Sequence, residues 1–400
     1  MPLTRRRWMT ATGAAAAVLV APQPPAAGTT SPPPPLPPPL PADAFRDRQA
    51  RLRAAARAAG LAALFATPST NLAYAANLSI GRSERLTALL LFTDGPAVLV
   101  TPYFEAENHK RDVVADDIVT WKEDEDPMPV VARLIGSGPV GIEGSTAYDT
   151  VARLSAAASV GPRDASDVFD GLRRVKSREE QAFIREAARR TDLAIEATHR
   201  TLAVGKSESE VERSLESAFQ AQGVSGGGLV QFGPSAAFPH GGPGERRLAK
   251  GDVVLIDAGC KVHGYTSDVT RTVSYGAPSD EVRRVYAAVD RAQRAGIDAL
   301  RAGATGAEVD RAARQVIAEA GWGDAFTHRL GHGLGLDGHE PPYLVRGNGA
   351  LLAAGNTLTV EPGIYLPGKF GIRIEDDYAV RDASPLGLSA RPPELVVLHI

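Results

Sequence analysis

The chain has 400 residues and a formal charge of −3 at pH 7, so it carries neither the basic footprint of a nucleic-acid binder nor a cationic face for an anionic membrane. Loss of residues 1–27, which hold three arginines and no acids, would move that charge to −6 and leave the exclusion standing. The only cysteine, Cys260, follows Asp257 in what reads as a turn and is a bystander, and no Ser-His-Asp or thiol constellation offers a nucleophile.

Thr4-Arg5-Arg6-Arg7-Trp8-Met9, followed by an apolar run from Ala11 to Ala21, has the form of a twin-arginine export signal over 1–27. The run is too short to span a bilayer, so the expected location is periplasmic or extracellular, without stable membrane anchoring. Residues 28–42 are proline-rich and read as a stiff, extended spacer.

An α/β domain is expected over 43–166. Its first helix runs from Ala44 to Ala59, and an apolar strand follows from Leu61 to Ala66. T-A-L-L-L-F-T-D-G-P-A-V-L-V (87–100) reads as a hairpin turning at Asp94-Gly95, and V-G-I-E-G (140–144) as a buried strand before a short helix. Apolar residues at helical spacing predict one long helix from Arg173 to Arg200, leading into a second domain over 167–400.

That second domain is internally duplicated. T-L-A-V-G-K-S-E-S-E-V-E-R (201–213) resembles A-L-R-A-G-A-T-G-A-E-V-D-R (299–311), with Leu202/Leu300, Gly205/Gly303, Glu210/Glu308 and then Gly223/Gly321 at a spacing of 98. L-A-K-G-D-V-V-L-I-D-A-G (248–259) recurs as L-A-A-G-N-T-L-T-V-E-P-G (352–363), 104 residues on, and places Glu361 where Asp257 stood. Each copy supplies a second acid: Asp268 lies eleven residues after Asp257, and Glu375 fourteen after Glu361. A pseudo-two-fold axis within one domain would bring the four together. Carboxylates that close repel unless one takes a proton or divalent cations share them.

The motifs D-A-G (257–259), T-S-D-V-T-R-T (266–272), G-H-G-L-G-L-D-G-H-E-P-P (331–342), T-V-E-P-G-I-Y (359–365) and I-R-I-E-D-D (372–377) resemble those of the pita-bread metallopeptidases, the aminopeptidase P and prolidase family. The resemblance extends over about residues 43–400. It implies an α+β pita-bread catalytic domain behind a smaller α/β domain that walls the site and joins a homodimer.

It further implies that Asp257 binds one metal, that Asp268 and Glu375 bridge two, and that His332 and Glu361 complete the second. His240, His328 and His339 fall where the family holds substrate and the tetrahedral intermediate. Arg373 matches a basic residue supporting the bridging acid, and Glu361 is the candidate proton shuttle to the leaving nitrogen. Four carboxylates and one imidazole suit Mn²⁺ foremost, with Co²⁺, Fe²⁺ or Zn²⁺ possible. The implied reaction is removal of an N-terminal residue before proline, from a dipeptide or from a longer peptide. A dipeptidase needs a cation for the substrate carboxylate, for which Arg271, Arg329 and Arg346 lie near the motifs. The alternatives are a metal-free, creatinase-like or non-catalytic relative, and a methionine aminopeptidase-like enzyme.

Overall fold

The structure, a computed structural model, describes residues 34–158, 161–239, 241, 244–390 and 394–398. The export-signal reading (1–27) and candidate His240 lie outside these residues. Helix α1 (Ala42–Ala58) buries Phe45, Gln49, Leu52 and Ala56, a one-sided stripe at helical spacing. Strands β1 (Ala63–Ala66), β2 (Ala88–Phe92), β3 (Ala97–Pro102), β4 (Asp117–Trp121), β5 (Val140–Ile142) and β6 (Arg163–Asp164) form one sheet in the order β4-β3-β2-β1-β5-β6. The expected hairpin is β2–β3, antiparallel with Leu91 opposite Ala97. Around the sheet lie α2 (Thr70–Ala76), α3 (Ala106–Lys110), α4 (Met128–Ile135), α5 (Tyr148–Ala157) and α6 (Ser166–Arg173).

The helix expected over Arg173–Arg200 begins only at Arg178. α6 ends at Arg173 and α7 (Arg178–His199) begins after a reciprocal cap. Ser177 Oγ accepts from Glu180 N at 3.2 Å, and Glu180 accepts from Ser177 N at 2.6 Å, satisfying two donors that a helix start leaves unpaired. Between the helices the chain is drawn out of helical conformation. Lys176 N donates to Gly355 O at 2.9 Å, and Val175 bridges to Asn356.

The second half comprises α8 (Glu208–Ala221), β7 (Gly226–Phe232), β8 (Val253–Val262), β9 (Tyr265–Thr266), β10 (Val269–Tyr275), α9 (Asp280–Ala299), α10 (Gly306–Glu319), β11 (Gly331–Gly333), β12 (Glu340–Leu344), β13 (Thr357–Val360), β14 (Gly363–Leu366), β15 (Phe370–Arg373), β16 (Asp376–Ala379), β17 (Leu386–Gly387) and β18 (Val397–Leu398). One sheet runs β18-β10-β8-β7, with β9 beside β8, a second runs β12-β11-β13-β16-β17, and β14 and β15 form a two-stranded pair of their own. α7 and α8 pack on the first through Ile184, Ala187, Leu215 and Phe219. α9 and α10 pack on the second through Val285, Val289, Val309 and Ala313. Cys260 is inside β8, opposite Gly226, rather than in a turn. β7 keeps pairing past Gly259, so the strand does not stop there.

The duplication extends to backbone detail. Ser207/Glu210 and Thr305/Glu308 form matching capping boxes, so both similar runs turn first and become helical only afterwards. Gly251 and Gly355 have φ of +90° and +91°, a region that favours glycine. Beside them Ala249 N donates to Asp252 and Ala353 N to Asn356, both at 2.9 Å. The halves meet where Thr272 Oγ1 donates to Arg373 O at 2.8 Å and Glu375 N donates to Thr270 O at 3.1 Å.

Candidate active site

The four duplicated acids converge. Asp257 sits within β8, opposite Thr270 of β10, and Asp268 occupies the break between β9 and β10. Glu361 lies just beyond β13 and Glu375 just before β16, so both halves present acids at equivalent strand positions. With His328, Arg329, His332, His339, Arg373 and Pro239 they line a cavity of about 380 Å³.

Three triads, Asp257–Asp268–Glu375, His332–Glu361–Glu375 and Asp268–His332–His339, each keep one potential ligand atom per residue within 4.8 Å of the others. Glu375 thus belongs to two groups with acid partners, and Asp268 to one with acid partners and one with two histidines. His332 Nδ1 lies 3.1 Å from Gly333 O, so that nitrogen carries the proton. The lone pair of Nε2 then points at Glu361 Oε1 (3.4 Å) and Asp268 Oδ2 (3.6 Å), the tautomer a metal ligand needs.

Electrostatics make the same case. Burial, then the charge of Glu375, pushes Asp268 and Glu361 well above the usual carboxylate range. Burial and then Asp257 raise Glu375 to about 7. Burial and then His339 lower His332 to about 3, keeping its imidazole neutral. An acid cluster under such mutual strain, beside a neutral imidazole, fits divalent cations: they would relieve the repulsion and use every donor present.

Arg373 organises one wall. It donates to Asp257 Oδ2 at 2.6 Å, to Thr270 Oγ1 at 3.0 Å and to the Tyr365 hydroxyl at 2.9 Å. Burial opposes its charge, but Tyr365, Asp257, Glu375 and Glu361 outweigh that and hold it well above its ordinary pKa. Thr270 Oγ1 in turn donates to Glu375 Oε2 at 2.6 Å. His328 Nε2 lies 2.8 Å from the Tyr365 hydroxyl and Nδ1 lies 2.7 Å from Arg329 O. A carbonyl only accepts, so Nδ1 donates and Nε2 accepts from Tyr365. Both ring nitrogens are therefore engaged by the protein, with Glu361 3.9 Å from Nδ1. His339 is exposed, its ring 4.0 Å from that of His332.

Thr270 and Tyr365 escaped the sequence reading. Thr270 lies two residues after Asp268 and Tyr365 two after Gly363, and the period of two along a strand could have pointed to both. The three arginines separate. Arg271 is buried and held by Asp192 (2.8 Å), Asp376 (2.7 Å) and Glu375 O (2.7 Å). Arg346 borders a different cavity with Arg311 and Arg314. Only Arg329 lines the carboxylate cavity.

Comparison with known proteins accords with this site. The profile of metallopeptidase family M24 matches residues 182–382, and that of the creatinase/prolidase N-terminal domain matches 48–175. A probable dipeptidase PepE of Mycobacterium tuberculosis is 37% identical over 367 residues, covering 90% of this chain and 98% of the relative. The crystal structure of dipeptidase PepE from Mycobacterium ulcerans superposes with a TM-score of 0.85 at 37% identity, over 90% of this chain and 99% of that one. An Xaa-Pro dipeptidase from Bacillus anthracis superposes with a TM-score of 0.82 at 33% identity, over 88% and 100%. The chain, with its two sheets converging on a carboxylate–histidine cluster, belongs to metallopeptidase family M24 and carries a creatinase/prolidase N-terminal domain ahead of the catalytic one.

Proposed function

We propose that this metallopeptidase hydrolyses the bond between an N-terminal residue and proline, with Xaa-Pro dipeptides as its best substrates. The observation that carries the reading is the gathering of Asp257, Asp268, His332, Glu361 and Glu375 in one cavity, in overlapping groups of potential ligand atoms. The names of the dipeptidase and Xaa-Pro dipeptidase relatives support the substrate class.

Asp257, Asp268, His332, Glu361 and Glu375 would hold two divalent cations, with Asp268 and Glu375 shared between them. The hard, oxygen-rich donor set favours Mn²⁺, then Co²⁺ or Zn²⁺. Bound cations supply a nucleophilic hydroxide near neutral pH and polarise the scissile carbonyl. The chain's own residues do the rest. His339, exposed at the rim beside His332, donates a hydrogen bond to the developing oxyanion. Glu361 moves a proton to the prolyl nitrogen, which bears no hydrogen and leaves poorly without one. Arg373 and Thr270 fix the orientation of Asp257 and Glu375, while His328 fixes Tyr365 and through it Arg373. His240, the third candidate histidine, is assigned to substrate on sequence alone.

The alternatives fare less well. A metal-free or non-catalytic relative does not need five donors gathered in one cavity, and a methionine aminopeptidase-like enzyme does not account for the N-terminal domain. A homodimer is supported by the exposed aromatics Tyr103 and Phe104 beside the edge strand β4, and light scattering tests it. Export is supported by Arg5, Arg6 and the apolar run after them; Arg5→Lys with Arg6→Lys should abolish it. Among the described residues no helix is long and apolar enough to cross a membrane.

The direct test of substrate class is a panel of Ala-Pro, Ala-Pro-Ala, Ala-Ala and Met-Ala on one metal-loaded preparation. Hydrolysis of Ala-Pro well above Ala-Ala is the expected result; equal rates would remove the proline specificity.

A further inference from the structure

His328 and His332 stand on a stretch of chain that enters β11 from irregular structure, and helix α10 holds its backbone. Arg314 Nη1 donates to Phe326 O and Nη2 to His328 O, both at 2.9 Å, while Asp310 Oδ1 accepts from Leu330 N at 3.2 Å. The two side chains lie one helical turn apart and are themselves joined twice, Nε to Oδ2 at 2.9 Å and Nη2 to Oδ1 at 2.8 Å, the fork-to-carboxylate geometry that only arginine offers. The Arg314 guanidinium also lies 4.1 Å from the centroid of the Phe326 ring. That ring meets the His328 imidazole edge-on, with centroids 5.1 Å apart. Three backbone atoms and one aromatic ring around His328 are thus fixed by a single ion pair.

The duplication shows which part of this clamp is general and which is special. At the spacing of 98 that relates α8 to α10, Asp310 corresponds to Glu212 and Arg314 to Glu216. Glu212 Oε1 accepts from Val230 N at 3.2 Å, and Val230 adjoins Leu229, the residue opposite Asp257. Asp310 accepts from Leu330 N, and Leu330 O accepts from Glu361 N at 2.8 Å. Each half therefore uses the acid at this helix position to hold the chain beside its own cavity acid. The arginine has no such counterpart, since Glu216 is exposed and cannot donate. It occurs only in the half whose clamped segment carries a histidine.

We propose that Asp310 and Arg314 are a positioning pair for the reaction. By clamping residues 326–330 they orient the His328 imidazole on the Tyr365 hydroxyl, and through Tyr365 they set Arg373 and Asp257. Neither residue lines the carboxylate cavity, so both act through the chain and not on the substrate. Both instead border a separate cavity of about 440 Å³. The assignment rests on the Xaa-Pro reading above for the choice of substrate.

The test compares wild type, Arg314→Ala, Arg314→Lys and Glu216→Ala, each metal-loaded, on Ala-Pro. Misplacing a reacting group by about 1 Å costs about 10²-fold in rate. Arg314→Ala should lose kcat by that factor, with KM and metal content near wild type, and Glu216→Ala should match wild type. Millimolar guanidinium, entering from the 440 Å³ cavity, should restore much of the lost rate, and ammonium should not. Should the alanine variant fail to fold, Arg314→Lys carries the test, since it keeps the charge and lacks the fork. A lowered kcat at unchanged KM and metal content supports the pair; a wild-type kcat overturns it.

Ring-nitrogen NMR of His328 in chelated protein supplies a readout that needs no substrate. Wild type should show one protonated nitrogen, Nδ1, and one bare nitrogen, Nε2. In Arg314→Ala the two should average, and guanidinium should separate them again. If wild type leaves Ala-Pro intact, the Xaa-Pro reading fails, and this measurement still decides the role of the pair. A rate loss that guanidinium leaves in place, or His328 signals unchanged in Arg314→Ala, would overturn the assignment.

Discussion

Thr70, at the start of α2, donates its hydroxyl to both carboxylate oxygens of Asp337, at 2.9 and 3.0 Å, across 267 residues of sequence. Asp337 sits in the loop between His332 and His339, and the same carboxylate pairs with Arg173 at 2.5 Å. Arg173 also meets Glu340 at 2.6 Å, and Lys176 closes on Glu340 from the other side. Two cations and two acids thus bind the N-terminal domain and its linker to the loop that ends in His339. Three of them, Arg173, Lys176 and Glu340, are almost wholly buried, so the set is stable only while complete.

Two variants of that cluster should differ in kind. Arg173→Leu leaves Glu340 and Asp337 short of a partner, and removing one member of a buried ion pair costs about 3–5 kcal/mol; its chemical denaturation midpoint should fall sharply. Thr70→Val removes one hydrogen-bonding group at the loop edge. It should keep metals and melting temperature near wild type and lower kcat several-fold, because His339 is held less firmly. A Thr70→Val enzyme with unchanged kcat would show that the loop keeps its position without the N-terminal domain's hydroxyl.

Removing His339 should separate chemistry from metal binding. A single donor to a developing oxyanion is worth about 10²–10³ in kcat. His339→Ala should lose turnover by roughly that factor and retain its metals, with little change in KM for Ala-Pro. Intact turnover would take His339 out of the mechanism.

Protein stripped of divalent cations should lose stability as pH rises. Glu375 is raised from its ordinary 4.5 to about 7 by burial and by Asp257, so the folded chain holds a proton there that the unfolded chain has released. The sign follows from linkage: the contribution is fully present below about 4.5 and is lost as pH climbs through about 7. Thermal melts of chelated protein from pH 5 to pH 8 should show a falling midpoint. Added Mn²⁺ should restore most at the upper end, where protons no longer compete for the carboxylates. A midpoint that rises steadily over that range would contradict the strained cluster.

Much of this site was legible in the sequence because duplication is a constraint that chance rarely meets. Pairs such as Gly251/Gly355 and Asp257/Glu361 kept both residue type and spacing, and the structure returns the glycines with matching φ and matching hydrogen bonds beside them. The break before α7 was legible too, as Ser177 followed three residues later by Glu180, but the apolar period running through it masked the cap. Cys260 was misplaced because Gly259 reads as a strand end, whereas Gly226 opposite it lets pairing continue. Contacts such as Thr70–Asp337 and Asp192–Arg271 were not legible. They depend on where the chain returns after long intervals, and no local pattern records that.

The carboxylate roles are the central claim, and metal stoichiometry measured with activity on the same samples tests them most directly. Wild type should bind two divalent ions per chain, lose Ala-Pro hydrolysis on chelation and recover it best with Mn²⁺ or Co²⁺. Asp257→Asn should weaken mainly one ion, whereas Asp268→Ala and Glu375→Ala should lose both ions and all turnover together. Near-wild-type activity in Glu375→Ala, or full activity in protein shown to hold no metal, would contradict the account.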